Sequence, residues 1–226
     1  MATKTLILRP VRVTTDDESL VTLYPSNTTM ANAHTLVSEE VADDDATYIW
    51  LTGAKGAVRY YFEYTKPEDL ISITNFTVTL KEKLESGSNV GGYNFYINNT
   101  MQAIGGSITL NTSEYNFYTL SPNTDKALTS IINLFSEATS DTEIYFYRNV
   151  NSNSSKASPL KTTQVYMEIT YEAKEEAKPD LIYLKKDNIY TQVNYNSIYS
   201  KNNNSWVITD ISSLQNNEKY IIKEVE

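Results

Sequence analysis

The sequence predicts an all-β protein: a jelly-roll β-sandwich with one short helix, followed by a small C-terminal module rich in β-hairpins. Short runs of β-branched and aromatic residues recur along the chain, and turn residues separate them. Apolar and polar residues alternate within these runs, as they do in strands with one buried face. With 226 residues, the chain can bury one core of ordinary domain size and carry a small appendage.

Composition excludes several classes of protein and site. Cysteine is absent, which rules out disulfide frameworks, thiolate zinc sites and cysteine nucleophiles. The net charge of −9 argues against nucleic acid as a partner, because phosphate contacts require clustered lysine and arginine. Mean hydropathy is −0.42, and no apolar run is long enough to insert into a membrane. The N-terminus lacks an apolar signal sequence, so we expect synthesis in a cytoplasm.

An acidic run is followed by a compact apolar strand that begins near residue 48. Neighbouring carboxylates cannot be buried together without a cation, whereas the strand-forming residues that follow need to be buried against other parts of the protein. The acidic residues are Glu39, Glu40, Asp43, Asp44 and Asp45, and the strand reads Tyr48-Ile49-Trp50-Leu51. The pattern therefore predicts a loop that enters a strand.

Before this loop, the chain predicts short β segments. Residues 5–13 alternate, and Pro10 marks an edge strand or a kink. A polar turn precedes a strand over residues 20–24. In the long polar passage that follows, Leu36-Val37 is a candidate for a further short strand.

After the loop, strands follow at regular intervals, which is typical of a sandwich. Residues 53–56 predict a hairpin connection into a strand over 58–64. A strand over 71–80 alternates with a slip near Asn75 and Phe76, which indicates a β-bulge. The other strands are predicted over residues 93–97, 104–110, 115–120, 143–148 and 162–171.

One segment has helical periodicity instead. Between residues 125 and 138, apolar side chains recur at i, i+3, i+4 and i+7. Thr124 or Asp125 is a suitable N-cap. We expect a short amphipathic helix that plugs one end of the sandwich.

A change of composition divides the chain into domains. Residues 173–180 are charged and include Pro179, which is typical of a linker. We therefore expect a sandwich over residues 1–172 and a small module over residues 181–226. The module repeats an Ile-Tyr-x-Lys pattern, and each copy predicts a β-hairpin with Asp-Asn or Asn-Asn at its turn. So small a module packs on a neighbour or serves for docking.

Two sets of residues are candidates for binding. Carboxylates are ligands that calcium prefers, and Asp43, Asp44 and Asp45 supply them. The alternative is a solvated loop, because EF-hand spacing is absent. Tyrosine and tryptophan can stack on sugar rings, although most tyrosines in such a sandwich are simply half-buried strand residues. The candidates for a ligand or an interface are Tyr48, Trp50, Tyr199 and Trp206.

No catalytic apparatus accompanies these residues. His34 is the single histidine, and no Gly-x-Ser-x-Gly nucleophile elbow occurs. Nothing in the sequence selects a pair of carboxylates for glycoside hydrolysis. We therefore expect a protein that is not an enzyme.

Three segments resemble the jelly-roll domain of tailed-bacteriophage virion proteins. They are VADDDATYIW at residues 41–50, YYFE at 60–63 and QVYMEITY at 164–171, and the resemblance covers most of residues 1–172. These virion proteins have a galactose-binding-like fold and are described as head fibre, capsid decoration or minor tail proteins. The C-terminal module is similar, from Tyr199 to Trp206, to short modules at the ends of phage structural proteins.

The acidic loop is also similar to the Asp-x-Asp-x-x-Thr-x-Trp loop of discoidin-type carbohydrate-binding modules. In those modules, acidic residues and carbonyl groups hold a structural calcium ion. This chain has Asp-Asp-x-Thr-Tyr at residues 44–48, with an extra acidic residue and no glycine.

The resemblance implies a non-enzymatic virion protein on the outside of a phage particle. A capsid decoration or head fibre is the first expectation, and a tail-associated protein is the second. The implied partners are other virion proteins, such as the major capsid or tail proteins, and a homo-oligomer is the default for a repeated part. The alternative function is a carbohydrate-binding module, either free or as an adhesin that binds host-surface glycans.

Overall fold

A computed structural model describes residues 1–52, 56–85, 92–105, 110, 114–150 and 159–174 in full, and the backbone of residues 182–186, 189–193, 195–202, 205–209 and 220–224. The chain divides into two compact units, Met1–Glu175 and Glu176–Glu226. No helix in these described parts is long and apolar enough to cross a membrane.

The first unit contains a larger antiparallel sheet. Its strands are β1 (Ala2–Leu8), β3 (Val21–Tyr24), β4 (Tyr48–Leu51), β6 (Leu70–Leu84), β9 (Ile104–Gly105), β10 (Asn116–Pro122) and β12 (Leu160–Ala173). Within the described residues, the strand order is β3-β4-β12-β6-β10-β9, and β1 pairs with the second half of β12. The long strands β6 and β12 form the centre of this sheet.

A smaller antiparallel sheet packs against the larger one. Its strands are β2 (Pro10–Thr15), β5 (Ala57–Phe62), β7 (Tyr93–Ile97), β8 (Thr100–Gln102) and β11 (Ile144–Asn149), in the order β2-β5-β11-β7-β8. The core lies between the two sheets, where Phe76 of β6 stacks on Phe95 of β7 with their ring centroids 4.8 Å apart. The predicted all-β jelly-roll sandwich is confirmed.

The predicted helix is present as α1 (Asp125–Glu137). The side chain of Thr124 accepts a hydrogen bond from the Ala127 N–H at 3.1 Å, so Thr124 is the N-cap. The helix buries Ala127, Ile131 and Phe135 and contacts strands of both sheets. It therefore contributes one face to the core.

The polar passage before the acidic run also contributes to the core. Residues Met30–Leu36 form a 3-10 helix, so the short strand expected at Leu36-Val37 is wrong. The Val37 carbonyl accepts a hydrogen bond from the Val165 N–H at 2.9 Å. Val165 lies between the part of β12 that pairs with β4 and the part that pairs with β1. Buried Leu36 and Val37 thus fill a gap between β4 and β1, which both pair with β12.

Three other predictions differ from the structure. Residues 5–13 form no single strand, because β1 and β2 belong to different sheets. The hairpin expected at residues 53–56 is wrong, because β4 and β5, the strands on either side, also belong to different sheets; residues 53–55 themselves lie outside the described part. Of the strand expected over residues 104–110, the structure describes Ile104–Gly105 as β9, Leu110 belongs to no strand, and residues 106–109 lie outside the described part. A second 3-10 helix, Glu18–Leu20, was not predicted.

The predicted bulge in β6 is present, one residue earlier than the slip suggested. Asn75 pairs with Thr170 and Ile73 pairs with Tyr171, so Thr74 is the extra residue. Ala173 is the last residue of β12 and is buried, so it belongs to the sheet and not to the expected linker.

The second unit contains paired strands at both copies of the repeat. β13 (Ile182–Lys186) pairs with β14 (Ile189–Val193). β15 (Tyr195–Asn202) pairs with β16 (Ser205–Thr209) and with β17 (Tyr220–Glu224). The first two pairings are those of the expected hairpins, and their turn residues, 187–188 and 203–204, lie outside the described part.

Candidate functional site

The acidic loop lies against the outer face of the larger sheet, and each of its three aspartates has a partner. Asp43 Oδ1 accepts hydrogen bonds from the Thr47 N–H at 3.0 Å and the Thr47 hydroxyl at 2.6 Å. Two ion pairs join the loop to β6: Asp44 to Lys81 at 2.5 Å and Asp45 to Lys83 at 3.6 Å.

These carboxylates do not fit a calcium site. Calcium takes about six to eight oxygen ligands around one point. Among the described residues, no three histidine, cysteine or carboxylate side chains are placed to hold a metal ion. Asp44 and Asp45 are instead matched by lysine charges, as the ion pairs with β6 show.

The backbone of the loop is fixed by two side chains beneath it. Gln164 Nε2 donates to the carbonyl of Glu39 at 2.7 Å and to that of Glu40 at 3.1 Å. The Arg9 guanidinium donates to the same Glu39 carbonyl. Partial burial, with Asp43 nearby, raises the pKa of the Glu39 carboxyl. The loop is therefore a fixed part of the sandwich.

Tyr48 and Trp50 lie on this outer face, but a lysine of the same chain covers them. Lys161 Nζ is 4.4 Å from the Tyr48 ring centroid and 5.5 Å from that of Trp50. Tyr24 stacks on Tyr48, with the centroids 4.9 Å apart and the planes 8° from parallel. A glycan would have to displace these contacts before it stacked on Tyr48.

Tyr199 and Trp206 belong to the second unit. They lie in β15 and β16, where Tyr199 pairs with Ile208 and Trp206 with Lys201. The structure describes their backbone alone, so their role at a ligand site or interface stays a prediction.

The outer face of the smaller sheet carries a row of side chains that crosses all five described strands. Arg12, Tyr61, Tyr145, Tyr96 and Met101 are successive cross-strand neighbours. The Tyr61 and Tyr145 ring centroids are 5.2 Å apart, and those of Tyr145 and Tyr96 are 4.7 Å apart. The strand pairing thus brings together residues far apart in sequence.

A groove of about 530 Å³ opens at the Arg12 end of this row. The Arg12 guanidinium carbon lies over the Tyr61 ring, 3.8 Å from its centroid. Arg12 Nη2 makes a long contact of 3.4 Å with Glu143 Oε1. We call this feature the Arg12 groove, and its lining includes Val11, Arg12, Tyr61, Glu63, Asp141 and Glu143.

A β-bulge shapes the near wall of the Arg12 groove. Pro10 pairs with Phe62 and Arg12 pairs with Tyr61, so Val11 is an extra residue in β2. Val11 and Arg12 are consequently both exposed, although they are consecutive. Bulges on edge strands commonly redirect side chains in this way.

The far wall is held by hydrogen bonds. The Thr139 N–H donates to the Thr142 hydroxyl at 2.8 Å. The Glu143 N–H donates to Asn98 Oδ1 at 3.0 Å, and the Asn98 N–H donates to the Glu143 carbonyl at 2.8 Å. Asn98 and Asn99 have φ values of 48° and 60°, which suit a tight two-residue hairpin turn. The wall is thus ordered before any ligand arrives.

Two carboxylates in the Arg12 groove have no partner in the part of the chain that the structure describes. Within the described residues, the side chains of Glu63 and Asp141 make no hydrogen bond or ion pair. The groove therefore offers guanidinium donors and carboxylate acceptors beside an aromatic ring. Sequence reasoning missed this site. Pro10 was a signal for the kink, but no local pattern predicts that residues 12, 63, 141 and 143 meet.

A second groove, of about 460 Å³, runs along the edge strand β3. Among the lining residues that the structure describes, Glu18 is the one charged residue and none is aromatic. Its remaining walls are formed by Val21, Thr22, Leu23, Met30 and three short hydroxyl side chains. It offers fewer directed polar groups than the Arg12 groove.

Comparisons with known proteins do not identify a family. No protein-family model and no curated protein matches the chain. Among solved structures, the chain is similar to that of CBM35 from Paenibacillus barcinonensis. The sequence identity is 12%, the similarity covers 72% of this chain and 97% of that chain, and the TM-score is 0.34. So distant a likeness does not bear on function.

Proposed function

We propose that the first unit is a carbohydrate-binding module and that the Arg12 groove is its glycan site. The observation that carries this proposal is the Arg12 guanidinium, held 3.8 Å above the Tyr61 ring in a groove that also contains carboxylates. Sugar hydroxyl groups both donate and accept hydrogen bonds, so they suit a site where donors and acceptors alternate.

Arg12 is available to a ligand. Its side chain is 57% exposed, and its one hydrogen bond within the described residues is the 3.4 Å contact with Glu143. Because the ring of Tyr61 supports the planar guanidinium, Arg12 loses little freedom when it binds. Val11, exposed by the bulge, adds apolar surface for the C–H face of a sugar.

Binding without catalysis is the function we propose for this groove. The Arg12 groove is more accessible to a glycan than Tyr48 and Trp50 are. Lys161 lies against both of those rings. In the groove, the Arg12 side chain is exposed, and within the described residues the side chains of Glu63 and Asp141 make no hydrogen bond or ion pair. The sandwich supplies rigid walls, which lower the entropic cost of binding.

A glycan array followed by an NMR titration of the full chain tests the proposal. A bound glycan should shift the Arg12 side-chain signal and the amide signals of Tyr61, Glu63 and Glu143. Arg12→Met keeps the apolar stem but removes the donors, and we expect affinity to fall about 10- to 150-fold.

Arg59→Met is the matched control. Arg59 also lies over a tyrosine, Tyr147, at 5.3 Å from the ring centroid, but it does not line the groove. This variant should keep full affinity. The proposal fails if no glycan binds, or if both variants weaken binding equally.

The virion role expected from the resemblance stays a prediction, as do the capsid or tail partners, the homo-oligomer and the location on a particle. It is compatible with glycan binding, because a virion adhesin binds host-surface glycans. Quantitative mass spectrometry of purified particles tests it. A fixed ratio to the major capsid protein that survives a salt wash would support the role, and absence from particles would contradict it.

A further inference from the structure

We infer that the Arg12 groove selects glycans that carry a free amino group over matched neutral glycans and over acidic ones. This inference rests on the proposed function and specifies the ligand class. It is carried by three carboxylates, those of Glu63, Asp141 and Glu143, that line the same groove as a single guanidinium, that of Arg12.

The charges of the groove are unbalanced. Among the described lining residues, three carboxylates face one cation. Arg12 lies nearest to Glu143, at 3.4 Å. Glu63 and Asp141 therefore remain without a positive partner within the described part of the chain.

This imbalance distinguishes the groove from the surface ion pairs of the first unit. Elsewhere in the described part of this unit, five surface carboxylates are each paired with a basic residue. Asp16–Arg59, Asp44–Lys81, Asp69–Lys4 and Glu85–Lys161 have separations of 2.5 to 2.6 Å, and Asp45–Lys83 is longer, at 3.6 Å. The groove is thus a place where an incoming cation would gain partners without displacing one.

A protonated amine would supply the positive charge that Glu63 and Asp141 lack. It brings three donors and no acceptor, so the carboxylates of Glu63 and Asp141 can receive its hydrogen bonds. Arg12 then remains for hydroxyl groups of the sugar. A sugar carboxylate would instead meet like charges and one guanidinium that Glu143 already contacts, and like-charge juxtaposition opposes binding.

The test uses glycans of one skeleton in three forms: free amine, N-acetylated amine and carboxylate. We expect the full chain to bind the free amine most tightly, and added salt should weaken this binding. Glu63→Gln and Asp141→Asn should each weaken it about 2- to 5-fold. Each variant should weaken binding of the free amine more than it weakens binding of the N-acetylated form.

Glu18→Gln is the matched control, because it removes one negative charge outside the groove. If it weakens amine binding as much as Glu63→Gln does, the amine is attracted by net charge and the inference is overturned. The inference is also overturned if the neutral or acidic form binds as tightly as the amine, although the proposed function then stands. If no form of any glycan on the array binds, the proposed function itself fails.

Discussion

Arg148 of β11 and Glu82 of β6 form an ion pair that crosses the core from one sheet to the other. Both side chains are fully buried, and Arg148 Nη2 lies 2.9 Å from Glu82 Oε2. Arg148 Nε donates to the same carboxylate at 3.0 and 3.1 Å. The Thr162 hydroxyl adds a donor at 3.0 Å, and Arg148 Nη1 donates to the Gly92 carbonyl at 3.1 Å.

Removal of one member of this pair should be strongly destabilising. Glu82→Gln leaves the Arg148 charge buried without a counter-charge, and we expect the free energy of unfolding to fall by about 3–5 kcal/mol. Urea denaturation measures the change. Asp16→Asn is the control, because the Arg59–Asp16 pair is exposed on the surface and should contribute at most about 1 kcal/mol. Equal losses in the two variants would show that burial does not matter here.

The acidic loop should loosen when Gln164 is replaced. Gln164→Leu removes the donor to the Glu39 and Glu40 carbonyls, and the expected loss of stability is about 1–3 kcal/mol. Hydrogen exchange should become faster at residues 39–47. Gln102→Leu removes another buried glutamine and should leave exchange in the loop unchanged. Unaltered loop exchange in Gln164→Leu would contradict this account.

Calcium should not stabilise the protein. Asp44 and Asp45 are matched by Lys81 and Lys83, so a divalent ion would have to displace lysine charges before it bound. We expect the same melting temperature with calcium, with magnesium at equal ionic strength, and with a chelator. A rise in melting temperature that is specific to calcium and reversed by the chelator would contradict this prediction and support a calcium site.

The N-cap of α1 should stabilise the first unit measurably. Thr124→Ala removes the acceptor for the Ala127 N–H, and we expect a loss of about 1 kcal/mol. Thr129→Ala makes the same change inside the helix, where the hydroxyl donates to the Asp125 carbonyl. That variant should lose less than about 0.5 kcal/mol, because alanine favours the helix interior. Chemical denaturation of both variants distinguishes a cap from a general effect of threonine.

The Asp69 carboxyl should respond to the removal of Lys4. Lys4 Nζ lies 2.6 Å from Asp69 Oδ2, and this hydrogen bond is the largest cause that lowers the pKa of Asp69 from its ordinary value of 3.8. A lowered carboxyl pKa stabilises the fold above the unfolded value, and this contribution is lost as pH falls through the folded value. Lys4→Met should therefore raise the pKa of Asp69 toward 3.8, as an NMR titration would show. Lys66→Met, on the neighbouring turn, should leave it unchanged, and an equal pKa in wild type and Lys4→Met would refute the assignment.

Much of the fold was predictable because it depends on neighbours in sequence. The helix α1 and its cap at Thr124 follow from spacing within a few residues. The bulge at Thr74 appeared as a break in alternation. The pairings of β13 with β14 and of β15 with β16 follow from strand-forming residues on both sides of short polar segments.

The candidate site was not predictable, because its residues come from separate parts of the chain. The Arg12 groove combines β2, the end of β5 and the turn before β11. Considered alone, the aspartates of the acidic loop suggested a set of metal ligands. Asp44 and Asp45 are instead paired with lysines more than thirty residues away in the sequence.

The sequence by itself determined the all-β class, the strand and helix periodicities and the acidic surface, since these are set by local preference and composition. Only the tertiary structure decided that β1 and β2 separate into different sheets, that Val37 fills a gap beside β12, and that Glu63, Asp141 and Glu143 line the same groove as Arg12. The physical reason is that sheet pairing joins segments distant in the chain. Which side chains on neighbouring strands become partners depends on the register of the strands, and a single sequence does not show that register.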